Sequence, residues 1–233
     1  MKKILLVFVL NFVIMFSQAQ NLFPDLQKYC ESLPKEFAKI PNERKENLQK
    51  IADFIKEKYS KNETINLTVI CTHNSRRSQF GQVWAKIAAV YYDFDAQKIQ
   101  TFSGGTEATA CNPRTVLALQ RAGVKVEQMN QIAATVANNP RYEVRLSEKE
   151  LPFYLFSKKY NDAQNPQTDF CAILVCSSAD EACPIVFGAT QRIYHGYEDP
   201  KRADNQANES EIYDQTCHLI ASEMFYVFSI IQK

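Results

Sequence analysis

The sequence lacks an excess of charge of either sign, and beyond its first residues it lacks any long hydrophobic run. Its 27 basic side chains almost balance 26 acidic ones, which gives a net charge of +1. A near-neutral chain is a poor ligand for nucleic acid or for an acidic membrane surface. Internal repeats and low-complexity segments are absent as well. We therefore expect a single globular domain that has no nucleic-acid partner.

The one long apolar run covers residues 4–16, follows two lysines and ends just before Ser17-Gln18-Ala19, in which residues 17 and 19 are small. This is the pattern of a secretory signal peptide, and the run is shorter than the ~20 residues that a membrane span needs. An uncleaved anchor is the alternative. We predict a signal peptide over residues 1–19, export to the periplasm and no stable membrane insertion after cleavage. In an oxidising compartment, an odd count of seven cysteines leaves at least one thiol free or paired outside the chain.

Two patterns follow the signal peptide. Residues 20–62 are charged and carry an apolar stripe at helical spacing, so we predict a helical N-terminal extension that packs on the core. From residue 63 onward, short apolar runs predict strands at 67–70, 99–103, 171–175 and 191–194, and helices are expected from residue 78, over 113–122 and over about 209–231. This alternation predicts a single three-layer α/β domain over residues 63–233 with a parallel four-stranded sheet, whose ligands bind at the carboxyl ends of its strands.

The alternation breaks between about residues 135 and 169. Apolar and charged side chains alternate from residue 142 to 146, and a second extended piece holds Phe153 and Leu155. We predict a β-hairpin inserted after the second core helix, followed by a polar stretch at 157–168.

A Cys-x5-Arg-Ser loop joins the first core strand to the first core helix. The strand ends at Cys71 and the helix begins near Ser78, which is expected to cap the helix and to contact the sulfur. The loop amides and the positive end of the helix dipole converge on one spot. Arg77 adds a planar fork that matches two oxygens of a tetrahedral anion, and this field favours a nucleophilic Cys71 thiolate. The predicted oxyanion-binding residues are Thr72, His73, Asn74, Ser75, Arg76, Arg77 and Ser78. The alternative is a buried cysteine that acts only as a small hydrophobic side chain.

Two more cysteines, Cys176 and Cys183, follow the strand predicted at 171–175. No close Cys or His pair accompanies them, so zinc is a poor fit, and we predict neither a metal nor a cofactor. A structural disulfide between them is one interpretation, given export. A redox relay that faces the Cys71 loop is the other. Four further cysteines receive no role: Cys30, Cys111, Cys171 and Cys217.

An Asp-Pro pair follows the last predicted core strand. A carboxylic acid at this edge of the sheet can protonate the oxygen that leaves a tetrahedral centre, which makes Asp199 the candidate general acid. The alternative is a plain Asp-Pro turn. His195, in the same loop, receives no role.

Together these segments resemble the low-molecular-weight protein tyrosine phosphatase fold family. The resemblance rests on the Cys71 loop, on Ser103-Gly104-Gly105-Thr106-Glu107 with Asn112-Pro113-Arg114, and on Asp199-Pro200. The segment 176–184 and Gly196-Tyr197-Glu198-Asp199-Pro200 look more specifically like the thioredoxin-coupled arsenate reductases, a branch of that family. The similarity covers roughly residues 67–233 without the inserted hairpin. It departs from the family at His73, where Gly is usual, and at Arg76, where a second Cys is usual.

The resemblance implies a reaction. Cys71 attacks arsenate, Arg77 and the loop amides hold the oxygens, and Asp199 protonates the departing hydroxide. Cys176 then forms a disulfide with Cys71, and Cys183 resolves it for reduction by a thioredoxin-like partner. The alternative is an exported protein tyrosine phosphatase that cleaves phosphate esters through a phosphocysteine, with Cys176 and Cys183 structural. Because all five residues are present, we favour the arsenate reductase. A non-catalytic oxyanion-binding protein fits less well, since nothing in the site is missing.

Overall fold

The structure, a computed structural model, describes residues 22–95, 97–129, 138–182 and 185–231. The predicted signal peptide and Cys183 lie outside the described residues. The α-helices are α1 (Pro24–Cys30), α2 (Asn42–Ser60), α3 (Arg77–Tyr91), α4 (Pro113–Arg121), α5 (Ser177–Ala182) and α6 (Glu209–Ser229), with 3₁₀ helices at Leu33–Lys39 and Pro200–Ala203. The strands are β1 (Ile65–Cys71), β2 (Ile99–Gly105), β3 (Lys125–Gln128), β4 (Tyr142–Arg145), β5 (Phe153–Leu155), β6 (Phe170–Leu174) and β7 (Ala189–Tyr194).

Four strands form the predicted parallel sheet, in the order β2-β1-β6-β7. β1 pairs with β2 as far as Cys71↔Gly105, and with β6 as far as Ile70↔Leu174. All five residues of β6 are buried, because a central parallel strand is covered on both faces and therefore has a continuous apolar sequence. The register brings Cys71, Gly105 and the residues after Leu174 to one edge of the sheet.

Helix α3 packs against β1, β2 and α6. Most of its side chains are buried, including Phe80 and Trp84, which are fully inaccessible. Burying a side chain the size of Phe80 contributes about 1.5–3 kcal/mol relative to leaving it in water. The helix that begins at the Cys71 loop is therefore anchored along its length, and its first turn has a fixed position.

The N-terminal extension is helical, as predicted, and packs on the core. α2 and the 3₁₀ helix Leu33–Lys39 both contact α6. The predicted apolar stripe of α2 has five members, of which Leu48, Ile51, Ala52 and Ile55 are buried and Tyr59 is partly buried against the core. The extension therefore adds to the same hydrophobic core instead of forming a core of its own.

The predicted β-hairpin is present: β4 pairs antiparallel with β5, from Tyr142↔Leu155 to Val144↔Phe153. It belongs to a three-stranded antiparallel sheet in the order β3-β4-β5. β3 was not expected, because only Val126 of its four residues is buried and the strand is too short to show a pattern.

After β5, the chain returns to the parallel sheet. Lys159 forms an isolated parallel bridge to Gly105, at the end of β2. The polar stretch predicted at residues 157–168 thus pairs with the end of the outer strand β2, beside the Cys71 loop. No helix in the described ranges combines the length and the apolar character that crossing a bilayer would take.

Candidate active site

The Cys71 loop lies at the carboxyl edge of the parallel sheet. Cys71 is the last residue of β1, and α3 starts at Arg77 with Arg76 as its N-cap residue. The predicted cap at Ser78 is wrong, because that residue already lies inside the helix. Within the loop, Asn74 has φ = +45°, a left-handed conformation that Asn adopts more readily than most side chains.

A short chain of hydrogen bonds leads to the Cys71 sulfur. The backbone N–H of Lys158 donates to Asn74 Oδ1 at 2.9 Å, and Asn74 Nδ2 donates to Ser78 Oγ at 2.9 Å. Ser78 Oγ lies 3.1 Å from Cys71 Sγ. Because Ser78 Oγ accepts from Asn74, its own proton is free to point at the sulfur. A fixed donor at this position stabilises a thiolate, as the predicted contact between Ser78 and Cys71 requires.

The loop after β2 supports the Cys71 loop from behind. The Thr106 amide donates to the Cys71 carbonyl at 3.2 Å, and the Glu107 amide donates to the Thr72 carbonyl at 2.8 Å. A Cβ atom on Gly105 would lie 2.6 Å from that Thr72 oxygen. Only glycine therefore allows the two loops to approach this closely.

The backbone carbonyls and the backbone amides of the Cys71 loop differ in their hydrogen bonding. The carbonyls of residues 71–75 all accept hydrogen bonds from the surrounding scaffold. The amides of residues 72–75 donate to no acceptor in the described part of the chain. Successive amides of this kind form a concave cradle suited to an anion.

Arg77 and Asp199 form an ion pair, with Arg77 Nη2 2.6 Å from Asp199 Oδ2. Arg77 Nη1 donates to the Tyr197 carbonyl at 2.9 Å. The Nε atom of Arg77 is buried and has no partner in the described structure. An unpaired buried donor costs about 1–3 kcal/mol, which a bound oxyanion would offset. The guanidinium thus holds the Asp199 loop with two nitrogens, an arrangement that the sequence did not indicate.

Asp199 is at once a turn residue and an accessible acid. Its Oδ1 accepts from the Lys201 amide at 3.0 Å and so caps the 3₁₀ helix Pro200–Ala203. Its side chain is 31% exposed, so a reacting group in the cleft can reach it. The two interpretations of Asp199 from the sequence are therefore compatible.

The side chains of Arg76 and His73 are engaged by neighbouring elements. Arg76 Nε donates to the Tyr213 hydroxyl at 2.7 Å, and its Nη2 donates to Asp204 at 3.1 Å. His73 is exposed, with Nε2 3.6 Å from the Glu107 carboxylate. The oxyanion role predicted for these two residues therefore rests on their backbone amides.

Cys176 lies next to the Cys71 loop. The Val175 amide donates to the Ile70 carbonyl at 2.8 Å, which continues the pairing of β6 with β1. The next residue brings its sulfur to 3.4 Å from Thr72 Oγ1, and Cys176 is only 4% exposed. Cys183, its predicted partner, lies outside the described residues.

The remaining described cysteines are buried free thiols: Cys30, Cys111, Cys171 and Cys217. Burial raises the pKa of the Cys111 and Cys217 thiols to about 12, and it raises the pKa of Cys30 and Cys171 as well. Such thiols are poor nucleophiles. Within the described ranges, no group of three or more His, Cys, Asp or Glu side chains is arranged to hold a metal ion.

The sequence did not indicate a buried network of charged side chains that contacts the loop carrying Asp199. Arg44 donates to both carboxylate oxygens of Glu223, at 2.5 and 2.8 Å, and to the Gly196 carbonyl at 3.0 Å. His195 Nε2 lies 2.8 Å from Glu223 Oε2. Burial alone would raise the pKa of Glu223, but the hydrogen bonds from Arg44 and His195 outweigh it and lower that pKa from 4.5 to about 2. His195, which received no role, therefore helps to fix the loop that carries Asp199.

Sequence comparison finds relatives among the arsenate reductases. No family model matches the chain. The arsenate reductase of Bacillus subtilis (strain 168) is 26% identical over 148 residues, which cover 63% of this chain and 81% of the relative. Arsenate reductase 2 of a Staphylococcus epidermidis strain is 25% identical over 131 residues, which cover 56% of this chain and 75% of the relative.

Solved structures resemble the chain more weakly. A low-molecular-weight phosphotyrosine phosphatase from Vibrio cholerae is 14% identical, with a TM-score of 0.44 over 71% of this chain and 94% of that one. A structure described as an arsenate reductase in the phosphate binding state is 18% identical, with a TM-score of 0.44 over 72% of this chain and 100% of that one.

Proposed function

We propose that this chain, which belongs to the arsenate reductase branch of the low-molecular-weight protein tyrosine phosphatase fold family, is an enzyme that reduces arsenate with thiols. The observation that carries the proposal is the position of Cys176. Its buried sulfur lies 3.4 Å from the Oγ1 atom of Thr72, and Thr72 directly follows Cys71. Hydrolysis of a phosphate ester makes no use of a second thiol here, whereas reduction requires one.

The first step is the attack of the Cys71 thiolate on arsenate. The oxyanion binds in the cradle of loop amides, and the buried Nε of Arg77 is the side-chain donor that supports binding. One arsenic–oxygen bond breaks as the sulfur–arsenic bond forms. Asp199 lies 2.6 Å from Arg77 Nη2. In its protonated form it gives that proton to the departing oxygen, which leaves as water or hydroxide, and Asp199 is left as a carboxylate.

The second step transfers two electrons to arsenic. The Cys176 thiolate attacks the Cys71 sulfur, a Cys71–Cys176 disulfide forms, and the electron pair of the sulfur–arsenic bond stays on arsenic, which leaves as arsenite. Cys183 then attacks Cys176 and releases Cys71 as a thiolate. An external dithiol of the thioredoxin type reduces the resulting Cys176–Cys183 disulfide and closes the cycle.

We also propose that the protein acts outside the cytoplasm. The support is the apolar run at residues 4–16 with its flanking lysines and small residues. The reductant would then be an exported dithiol protein. Detection of a chain that begins at residue 20 in a periplasmic extract supports this proposal, and a full-length chain in the cytoplasm contradicts it.

A second candidate is a phosphatase, and the contact between Arg77 and Asp199 favours it equally. Hydrolysis needs only Cys71, Arg77 and Asp199, since a phosphocysteine on Cys71 can be cleaved by water that Asp199 activates. In that enzyme Cys176 and Cys183 would have a structural role.

One pair of assays separates the two functions. Arsenite release with thioredoxin, thioredoxin reductase and NADPH is measured beside phosphate release from an aryl phosphate, for the wild type, Cys71→Ser and Cys176→Ser. For a reductase, Cys176→Ser stops multiple-turnover arsenite release and leaves aryl phosphate cleavage intact, while Cys71→Ser loses both. The matched control is Cys171→Ser, which changes a buried cysteine of β6. It is expected to retain both arsenite release and aryl phosphate cleavage. Arsenite release that survives Cys176→Ser would rule out the relay.

A further inference from the structure

A cavity of about 560 Å³ lies beside the Cys71 loop and is built mainly by the inserted segment. Its wall includes Ala108, from the loop after β2, and Arg141, Phe156, Lys158, Lys159 and Asp162. Its volume falls in the range of small-molecule sites, roughly 300–1,000 Å³. It is therefore larger than a single tetrahedral oxyanion needs.

Lys158 is the unusual residue of this cavity. It is only 5% exposed, and its ammonium lies 4.4 Å from the centre of the Phe156 ring. No carboxylate of the described residues is within ion-pair distance of it. Burial lowers the pKa of Lys158 to about 8. The charge of Asp162, which lies beyond ion-pair distance, opposes this effect and raises the pKa. A buried ammonium without a paired counter-ion is costly, and an anion in the cavity would compensate for that cost.

The other charges of the cavity have the same sign. The Arg141 guanidinium lies 4.4 Å from the same Phe156 ring, and Lys159 adds a third cation. Asp162 is the one acidic residue of the cavity wall within the described structure. The wall therefore carries an excess of two positive charges, which matches a dianion.

The cavity is tied rigidly to the Cys71 loop but is distinct from the cradle. Ser157 Oγ donates to the His73 carbonyl at 2.9 Å, and the Lys158 amide donates to Asn74 Oδ1 at 2.9 Å. The Lys158 amide thus binds the Cys71 loop, and the same residue forms part of the cavity wall. Neither Cys71 nor Arg77 contributes to the cavity wall.

We propose that this cavity is a second anion-binding site, which takes the phosphoryl group of a small phosphate monoester. Arg141 and Lys158 bind the phosphoryl oxygens, because a guanidinium fork and a buried ammonium suit a dianion. The remaining volume holds the organic part of the ligand. The site does not depend on the reaction at Cys71.

The test counts anion sites by titration calorimetry, with inorganic phosphate and glycerol 3-phosphate as the two probes. The cradle is blocked in Cys71→Asp, whose carboxylate repels an oxyanion. We expect this variant to keep one site, with glycerol 3-phosphate binding more tightly than phosphate, and the wild type to show two phosphate sites. Tighter binding of bare phosphate at the remaining site would assign it to inorganic phosphate and overturn the monoester proposal.

Lys158→Met and Arg141→Gln, each in the wild-type background, are expected to weaken the second site at least tenfold and to leave the cradle site unchanged. Lys158→Met removes an uncompensated buried charge, so it is expected to unfold at the same or a higher urea concentration than the wild type. Lys50→Gln, which changes an exposed lysine of α2, is the control and should bind as the wild type does. A single phosphate site in the wild type, or an unchanged second site in both cavity variants, would refute the proposal.

Discussion

Arg44 of the N-terminal extension donates two hydrogen bonds to the buried carboxylate of Glu223 in α6, which lies 179 residues later in the sequence. The same guanidinium donates to the Gly196 carbonyl and lies 5.0 Å from the centre of the Tyr197 ring. The Tyr197 carbonyl in turn accepts from Arg77. The extension is therefore connected, through two consecutive contacts at Tyr197, to the arginine that holds Asp199.

Removing Arg44 should destabilise the fold. Glu223 is fully buried, and Arg44 keeps 24% of its side chain exposed, so we expect Arg44→Ala to cost roughly 3 kcal/mol, the low end for breaking a buried ion pair. Urea unfolding measures this loss. The double variant Arg44→Ala/Glu223→Gln should recover part of the stability, because it leaves no unpaired charge. A loss below about 1 kcal/mol in Arg44→Ala would mean that Glu223 finds another partner.

The ion pair between Arg44 and Glu223 should also make the free energy of unfolding fall at acid pH. The pKa of Glu223 is lowered from 4.5 to about 2 in the folded state, so the unfolded chain binds the proton first as pH falls. The stabilisation is complete above pH 4.5 and is lost progressively as the pH falls toward 2, by about 3 kcal/mol in all. Urea unfolding of the wild type and Glu223→Gln between pH 6 and 3 tests this. The difference between their stabilities should shrink with falling pH, and a constant difference would contradict the shifted pKa.

Asp199→Asn should slow turnover by roughly 10²–10⁴-fold, the usual contribution of a general acid. The amide keeps one oxygen, which can still accept from the Lys201 amide, while the hydrogen bond from Arg77 is lost. The 3₁₀ helix and the fold should therefore persist. The loss should be larger for aryl phosphates with poor leaving groups than for those with good ones, because only poor ones need the proton. Equal, near wild-type rates for both would leave Asp199 as a turn residue alone.

Gly105→Ala should damage the oxyanion cradle. The new methyl group would lie 2.2 Å from the Glu107 carbonyl and 2.6 Å from the Thr72 carbonyl, and backbone atoms cannot move aside as a side chain can. We expect at least a tenfold weaker affinity for arsenate, measured by calorimetry. Gly81→Ala is the control, because its methyl group meets the side chain of Val69 at 2.7 Å. It should lower stability by about 1–3 kcal/mol and leave arsenate affinity unchanged, and equal losses of affinity in both variants would point to a general loss of folding.

The parallel sheet and the position of Cys71 could be predicted because they depend on local signals. Apolar runs of four or five residues mark β1 and β6, and the Cys-x5-Arg spacing lies between a strand and an amphipathic helix. β3 escaped because Val126 is its one buried residue, too little for a period to be seen. The direction of the Arg77 guanidinium escaped for a different reason. It depends on the Tyr197 carbonyl and on Asp199, which follow some 120 residues later, and no pattern within the Cys71 loop encodes them. The role of His195 and Arg44 escaped for the same reason.

The return of the inserted segment to Gly105 also affects how copies of this protein meet one another. β2 is an outer strand of the parallel sheet, and an unpaired outer strand is a template on which a second chain can add. Here the Gly105 amide donates to the Lys158 carbonyl and the Gly105 carbonyl accepts from the Tyr160 amide, both at 2.9 Å. The side chain of Asn165 covers the Ser103 carbonyl at 3.1 Å. The inserted segment thus pairs with the backbone groups at the end of β2, which protects this outer strand against strand addition and aggregation.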